Sequence, residues 1–135
     1  MTETPVQLPL VFDTSAWVRQ RQPGALQFWD AARDDQLLVS CPVVALEIFR
    51  MAKNERELEA LDEALVGLRR APVTDAVCQA ALGASRELGA RRRLPVSDYL
   101  IAAAAAERGF GVLHADKHFD LLATVLEFES VRLPE

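Results

Sequence analysis

The chain is poor in several things, and each shortage narrows its class. Its 135 residues include only two cysteines, Cys41 and Cys78, far apart and without metal-ligand spacing. That excludes a disulfide framework and a thiolate zinc site, and fits reduced, buried thiols in a cytoplasmic protein. Basic charge is also short: 15 Lys and Arg face 20 Asp and Glu, for a net charge of −5. The chain is therefore not one that coats nucleic acid by charge alone, although an acidic cleft that bears a metal stays compatible with this balance. No apolar run reaches the roughly 18 residues of a membrane span. The longest candidate, Tyr99 to Ala106, is too short and mostly alanine. Met1 to Pro5 lack the basic region of a signal peptide, and residues 1–7 read as a frayed lead-in. Repeats, low-complexity segments and linkers are missing as well, so residues 1–135 are expected to form one domain.

What remains is ordinary globular material, 50% hydrophobic and 26% charged. At this length folding hides roughly two-thirds of the unfolded surface, enough for one good core. The apolar run Leu8-Pro9-Leu10-Val11-Phe12 suits a buried parallel strand and stops abruptly at Asp13. A helical stretch follows from Thr14 to Gln20, Gln22-Pro23-Gly24 interrupts it, and a second helix runs from Ala25 to Asp34. Leu37 to Ser40 is the next strand. Pro42 suits the first turn of a helix from about Val43 to Lys53, with Val44, Ile48 and Met51 on one face. Asn54 caps a helix from Glu55 to Leu68, whose Leu58, Leu61, Leu65 and Leu68 form a stripe. That stripe serves either the domain's own core or a partner helix.

Arg70 to Val73 is a weak third strand, and Thr74 caps a helix to about Arg92. After the connector Leu94-Pro95-Val96, Ser97 or Asp98 starts a helix that Gly109 closes as C-terminal cap. Gly111 to Ala115 is a fourth strand ending at Asp116. A short helix, Phe119 to Val125, and a closing strand, Ser130 to Leu133, complete the order. The pattern predicts an α/β/α sandwich, three layers around a central parallel sheet of four to five strands.

Two strands run straight into an aspartate, and polarity in a parallel sheet puts Asp13 and Asp116 on the same edge. If those strands flank the point where strand order reverses, the two carboxylates converge. A right-handed crossover brings the start of the Asp98 helix to the same edge. Glu47, an acid beside Val44, Leu46 and Ile48 early in its helix, starts near that edge too. Two like charges about 4 Å apart at an effective dielectric of 20 repel by about 4 kcal/mol. Four clustered carboxylates must therefore hold protons or bind a cation. Oxygen ligands with no nearby cysteine point to Mg²⁺ or Mn²⁺, and a carboxylate-held divalent ion suits phosphodiester hydrolysis. Each acid keeps a plain alternative: Asp13 or Asp116 as a helix cap, Asp98 as a helix-dipole partner, Glu47 as an exposed charge.

The segments Val11-Phe12-Asp13-Thr14-Ser15-Ala16, Pro42-Val43-Val44-Ala45-Leu46-Glu47, Pro95-Val96-Ser97-Asp98-Tyr99-Leu100-Ile101 and Val112-Leu113-His114-Ala115-Asp116-Lys117-His118-Phe119 resemble, in order and spacing, the PIN-domain ribonucleases. The resemblance is to the VapC-like toxins of type II toxin–antitoxin systems and spans Val11 to Leu133. It implies a Mg²⁺- or Mn²⁺-dependent endoribonuclease with Asp13, Glu47, Asp98 and Asp116 as its acidic site. Asp13 and Asp98 would be the principal metal ligands, with Thr14 or Ser15 supporting them. It also implies a homodimer, cytoplasmic, acting on RNA and neutralised by a cognate antitoxin. One departure stands out. Family members often carry Asp-x-Asp-Phe after the fourth strand, where this chain has Asp116-Lys117-His118-Phe119, with His118 expected to be a tolerated neighbour. A histidine ligand there would tilt the metal preference towards Mn²⁺. His114 is expected to be a packed strand residue, and Trp17 and Trp29 core residues. Arg91, Arg92 and Arg93 are candidate phosphate contacts, or the basic end of their own helix. Arg50 and Lys53 form a second basic pair.

Other acid-bearing folds fit less well. A receiver domain wants its aspartate after the middle strand, where Val73 is followed by Thr74. An Asp-x-Ser-x-Ser adhesion site meets Trp17 in place of its second serine. A dinucleotide-binding unit lacks its glycine fingerprint after the first strand. The rival of a different class is a PIN-fold partner-binding protein with little or no nuclease activity.

Overall fold

A computed structural model describes residues 7–135. The lead-in expected over residues 1–7 lies, except for Gln7, outside the described residues. In chain order the elements are β1 (Leu10–Phe12), α1 (Thr14–Arg19), α2 (Pro23–Asp34), β2 (Leu38–Ser40), α3 (Pro42–Phe49), α4 (Glu55–Val66), β3 (Arg69–Arg70), α5 (Asp75–Leu88), α6 (Val96–Arg108), β4 (Gly111–His114), α7 (His118–Leu122) and β5 (Glu129–Arg132). The five strands form one parallel sheet in the order β3-β2-β1-β4-β5. Helices cover it on both faces, the three-layer sandwich expected from the alternating pattern. β1, β2 and β4 are buried at every position, which is why they read as continuous apolar runs rather than alternating ones.

Packing explains where the sheet closes. α6 lies against β1 and β4 with Ile101 and Ala102 to Ala105 buried, and α5 packs along it through Val77, Ala81 and Ala84. Short alanine side chains let α6 approach the sheet closely. Phe12, Trp17 and Trp29 form an aromatic cluster with centroids 5.3 to 6.0 Å apart, so both tryptophans serve the core. Of the leucine stripe expected over Glu55 to Leu68, Leu65 is buried. Leu61 within α4 and Leu68 just beyond its end at Val66 pack against the same core, while Leu58 stays half-buried outside it. Gly111 starts β4 where a Cβ would meet Glu129 O and Leu10 Cδ2 at 2.9 Å.

Several boundaries differ from the sequence expectation, each for a local reason. α3 ends at Phe49 rather than Lys53, because the chain must turn before Asn54 adopts the extended cap of α4. Met51 is left 42% exposed instead of lying on the apolar face. The third strand is Arg69–Arg70 rather than Arg70–Val73: Ala71 N still reaches Ser40 O at 2.8 Å, but Pro72 has no N–H to extend the ladder. α5 stops at Leu88 rather than Arg92, because Gly89 takes φ 85°, ψ 172°, a conformation essentially reserved for glycine. α6 begins at Val96, earlier than Ser97 or Asp98, and α7 covers His118–Leu122 rather than Phe119 to Val125. Gly109 closes α6 in the left-handed conformation, as expected.

Two glycine substitutions separate close packing from backbone entropy. Gly111→Ala should lower stability by about 1–3 kcal/mol, because strand backbone and Leu10 must give way. Gly83→Ala, mid-helix with nothing within 4 Å of the new Cβ, should raise it by about 0.5–1 kcal/mol. Thermal melts of the two variants check both signs.

Candidate active site

Strand order reverses between β1 and β4: the chain leaves β1 for β2 on one side and returns from β3 to β4 on the other. A crevice opens beyond their carboxyl ends. Asp13 N donates to Leu113 O at 2.9 Å, so the ladder runs right up to the first acid. Asp13 is 6% exposed and caps α1, its Oδ2 accepting from Ser15 N at 3.1 Å and Ser15 Oγ at 2.6 Å. Ser15 Oγ in turn accepts from Ala115 N at 3.0 Å. One hydroxyl thereby joins the ends of both central strands. Thr14 Oγ1 donates to Glu47 Oε1 at 2.9 Å and ties the start of α1 to α3.

Asp98 sits in the first turn of α6, 5% exposed, with no side-chain cap ahead of it. Its Oδ2 lies 2.9 Å from His118 Nδ1, which is also 3.2 Å from Asp116 Oδ1. Asp116 Oδ1 further accepts from His118 N at 3.0 Å. Among the described residues, Asp98, Asp116 and His118 form the group whose ligand atoms all lie within 4.8 Å of one another. That spacing is about the width of the ligand shell around a small divalent ion, roughly 4–5 Å. A cluster of two carboxylates and an imidazole fits such a cation.

Burial, the nearby Asp13 charge and then the Asp116 charge push the Asp98 carboxyl up from 3.8 to about 6, against the hydrogen bond from His118. Burial also pushes the His114 imidazole below its ordinary range. His114 is fully buried, as expected of a packed strand residue. Cys41 is buried and Cys78 half-buried, both as free thiols, and burial pushes the Cys41 thiol up.

The sequence-predicted acids are thus placed unequally. Asp98 and Asp116 lie in the compact trio, and Asp13 is near enough for its charge to act on Asp98. Glu47 is half-buried and held by Thr14. The third member of the trio is His118, which sequence reasoning took for a neighbour. The available signal was its position two residues after Asp116 and next to Phe119, which is fully buried and fixes the face α7 turns inward. Arg91, Arg92 and Arg93 are exposed on the loop between α5 and α6, not on a helix end. Tyr99 Oη donates to Arg92 O at 3.2 Å and tethers that loop to α6.

Without a cation, Asp98 should make stability depend on pH. Its folded value near 6 lies above its unfolded value near 3.9, so the folded chain holds the extra proton between them. The associated stability is present below about pH 4 and lost as pH rises through about 6, at most about 3 kcal/mol. Asp98→Asn should flatten that slope and raise the metal-free Tm at pH 7.5; an unchanged slope would place the titrating group elsewhere. Asp13→Asn keeps an acceptor that caps as well as aspartate while removing a like charge, so it too should melt higher. A marked fall would make Asp13 chiefly a structural cap.

Residues 10–125 match the PIN domain family. Ribonuclease VapC18 of Mycobacterium tuberculosis is 34% identical over 118 residues, 84% of this chain and 86% of that protein. Ribonuclease VapC51 of the same organism is 34% identical over 120 residues, 87% of this chain and 88% of that protein. Among solved structures, the fold resembles a chain of DNA-bound VapBC from Salmonella typhimurium, with TM-score 0.74 and 16% identity over 94% of this chain and 99% of that one. It also resembles VapBC-5 of Mycobacterium tuberculosis, a member of the VapBC family of toxin–antitoxin systems, with TM-score 0.69 and 21% identity over 93% and 99% of the two chains. Alike in sequence over nearly its whole length and alike in fold, the chain belongs to the PIN-domain family, with the VapC ribonucleases as its relatives.

Proposed function

We propose that this chain is a metal-dependent endoribonuclease toxin that hydrolyses RNA phosphodiester bonds and is restrained by a cognate antitoxin. The observation that carries this reading is the meeting of Asp98, Asp116 and His118 from α6, the end of β4 and α7, beside the buried Asp13. Relatives named VapC ribonucleases support the reaction, and a structural neighbour named as a member of the VapBC family of toxin–antitoxin systems supports the partner. A homodimer belongs to the same reading by family resemblance. A cytoplasmic location fits the two free thiols.

Asp13, Glu47, Asp98 and Asp116 are the catalytic carboxylates of this proposal. Asp98, Asp116 and His118 would hold Mg²⁺ or Mn²⁺, with Asp13 and Glu47 completing the acidic site. When held there, such a cation would supply charge neutralisation at a phosphate and help to activate water. The chain's own part is orientation. Ser15 holds Asp13 at the strand end, Thr14 holds Glu47, and His118 N–H holds Asp116. Loosely placed carboxylates would spend ligand binding on ordering themselves. Exposed Arg91, Arg92 and Arg93 precede the Asp98 helix and are the proposed phosphate contacts.

Cleavage of several RNA types by wild type and Asp98→Asn, in Mg²⁺, Mn²⁺ and chelator, tests the site. Wild type should cut only with a divalent ion, and the variant should lose about two orders of magnitude or more in rate. Equal cutting by both proteins removes Asp98 from the site. No cutting by either favours the partner-binding reading.

RNA binding to the Asp98→Asn protein across a salt series tests the arginines. Replacing Arg91, Arg92 and Arg93 by alanine should weaken binding and flatten the salt slope by about 0.7 per lost phosphate contact on single strands. An unchanged slope takes them out of the interface.

A further inference from the structure

Behind Asp116 lies a chain of hydrogen bonds that the proposed reaction does not use. The main-chain N–H of Asp116 donates to His114 Nδ1 at 3.1 Å. On the far edge of the ring, His114 Nε2 is 2.7 Å from Ser130 Oγ on β5. Ser130 Oγ donates to Asp120 Oδ1 on α7, also at 2.7 Å. His114 is fully buried and its ring lies against Phe119, with centroids 5.1 Å apart.

Donor and acceptor roles along this chain are set without ambiguity. A main-chain N–H only donates, so Nδ1 must be bare and the ring proton must sit on Nε2. Nε2–H donates to Ser130, whose own proton goes to the Asp120 carboxylate. Ladder geometry shows what the network is for. Leu133 N reaches His114 O at 2.7 Å, and beyond that rung the N–H groups of Ala115 and Asp116 have no strand partner. Side chains take both: Ser15 Oγ accepts from Ala115, and His114 Nδ1 accepts from Asp116. Left without this acceptor, the half-buried Asp116 amide would be free to turn towards water or another partner, and its carboxylate would move with it.

We infer that His114 is a positioning residue, which fixes the Asp116 peptide so that the Asp116 carboxylate meets Asp98 and His118. This rests on the metal-dependent reading of that carboxylate. An imidazole suits the task because it is rigid and offers an acceptor on one edge and a donor on the other. Asn and Gln carry both functions at one end and satisfy only one side. Asn places an oxygen near the position of Nδ1, whereas Gln reaches towards Ser130 and leaves the Asp116 N–H bare.

The test is Mn²⁺ binding to the metal-free full-length protein, by calorimetry and electron paramagnetic resonance, with melting curves alongside. His114→Gln should bind Mn²⁺ about tenfold more weakly, the lower end of the usual cost of losing a group that orients a ligand, while His114→Asn stays within about threefold of wild type. A role in stability alone would move both variants together. Equal weakening of both, or wild-type affinity in His114→Gln, overturns the inference. Nitrogen-15 spectra of the wild-type ring should show a bare Nδ1 and a protonated Nε2; the reverse tautomer also overturns it. If His114→Gln fails to fold, Ser130→Ala takes its place. It removes the partner that seats Nε2–H while leaving the Asp116 N–H on Nδ1, so Mn²⁺ binding should weaken severalfold, and an unchanged affinity counts against the inference. Wild-type protein that binds no Mn²⁺ fails the metal reading itself, and the positioning role with it. Failure of the His114 comparison alone leaves the metal reading standing.

Discussion

Repulsion among carboxylates gathered at one partly buried sheet edge is the constraint around which this structure is arranged. At an effective dielectric of 20, two charges about 4 Å apart cost about 4 kcal/mol, and Asp13 and Asp98 are both almost fully buried. An unsupported cluster of this kind would open or take up protons. Here each acid is held by neutral hydrogen-bond donors or by the imidazole of His118, and the strained balance appears as an Asp98 carboxyl raised to about 6. The apolar sheet beneath makes that restraint possible. β1 and β4 are dry at every position and α6 is fixed by its alanine face, so the ends that carry the acids have little freedom to drift.

The supports come from segments distant in sequence. Ser15 joins Asp13 to Ala115 across 100 residues, and Thr14 joins α1 to Glu47 across 33. His118 bridges Asp98 and Asp116. Such a web favours one arrangement because a partner lost at its buried members, Asp13 and Asp98, leaves a carboxylate where water does not readily reach. It also divides the work. Serine and threonine hold carboxylates in place, while His118 stands among the atoms that would face a cation.

Much of the fold was legible because its signals are local. The apolar run ending at Asp13, the Pro42 and Asn54 starts, the Thr74 cap and the Gly109 stop all mark elements by chemistry that acts within a turn or two. The errors also have local causes that a pattern hides. Gly89 breaks a helix that periodicity would continue to Arg92, and Pro72 ends a strand that apolar content would extend to Val73. Met51 has the right spacing for a core face, but the chain turns before reaching it. His118 was the least legible, since nothing in its own neighbourhood says that an α6 carboxylate stands 2.9 Å away.

By itself, the sequence determined the order of elements and which strand and helix ends carry acids, because caps, breakers and apolar runs operate over a few residues. Only the tertiary structure decided which acids meet. Strand order puts β4 beside β1, and the packing of α6 and α7 sets Asp98, Asp116 and His118 within reach of one another. Those distances depend on contacts made between segments far apart in the chain, and such contacts have no local signature to read.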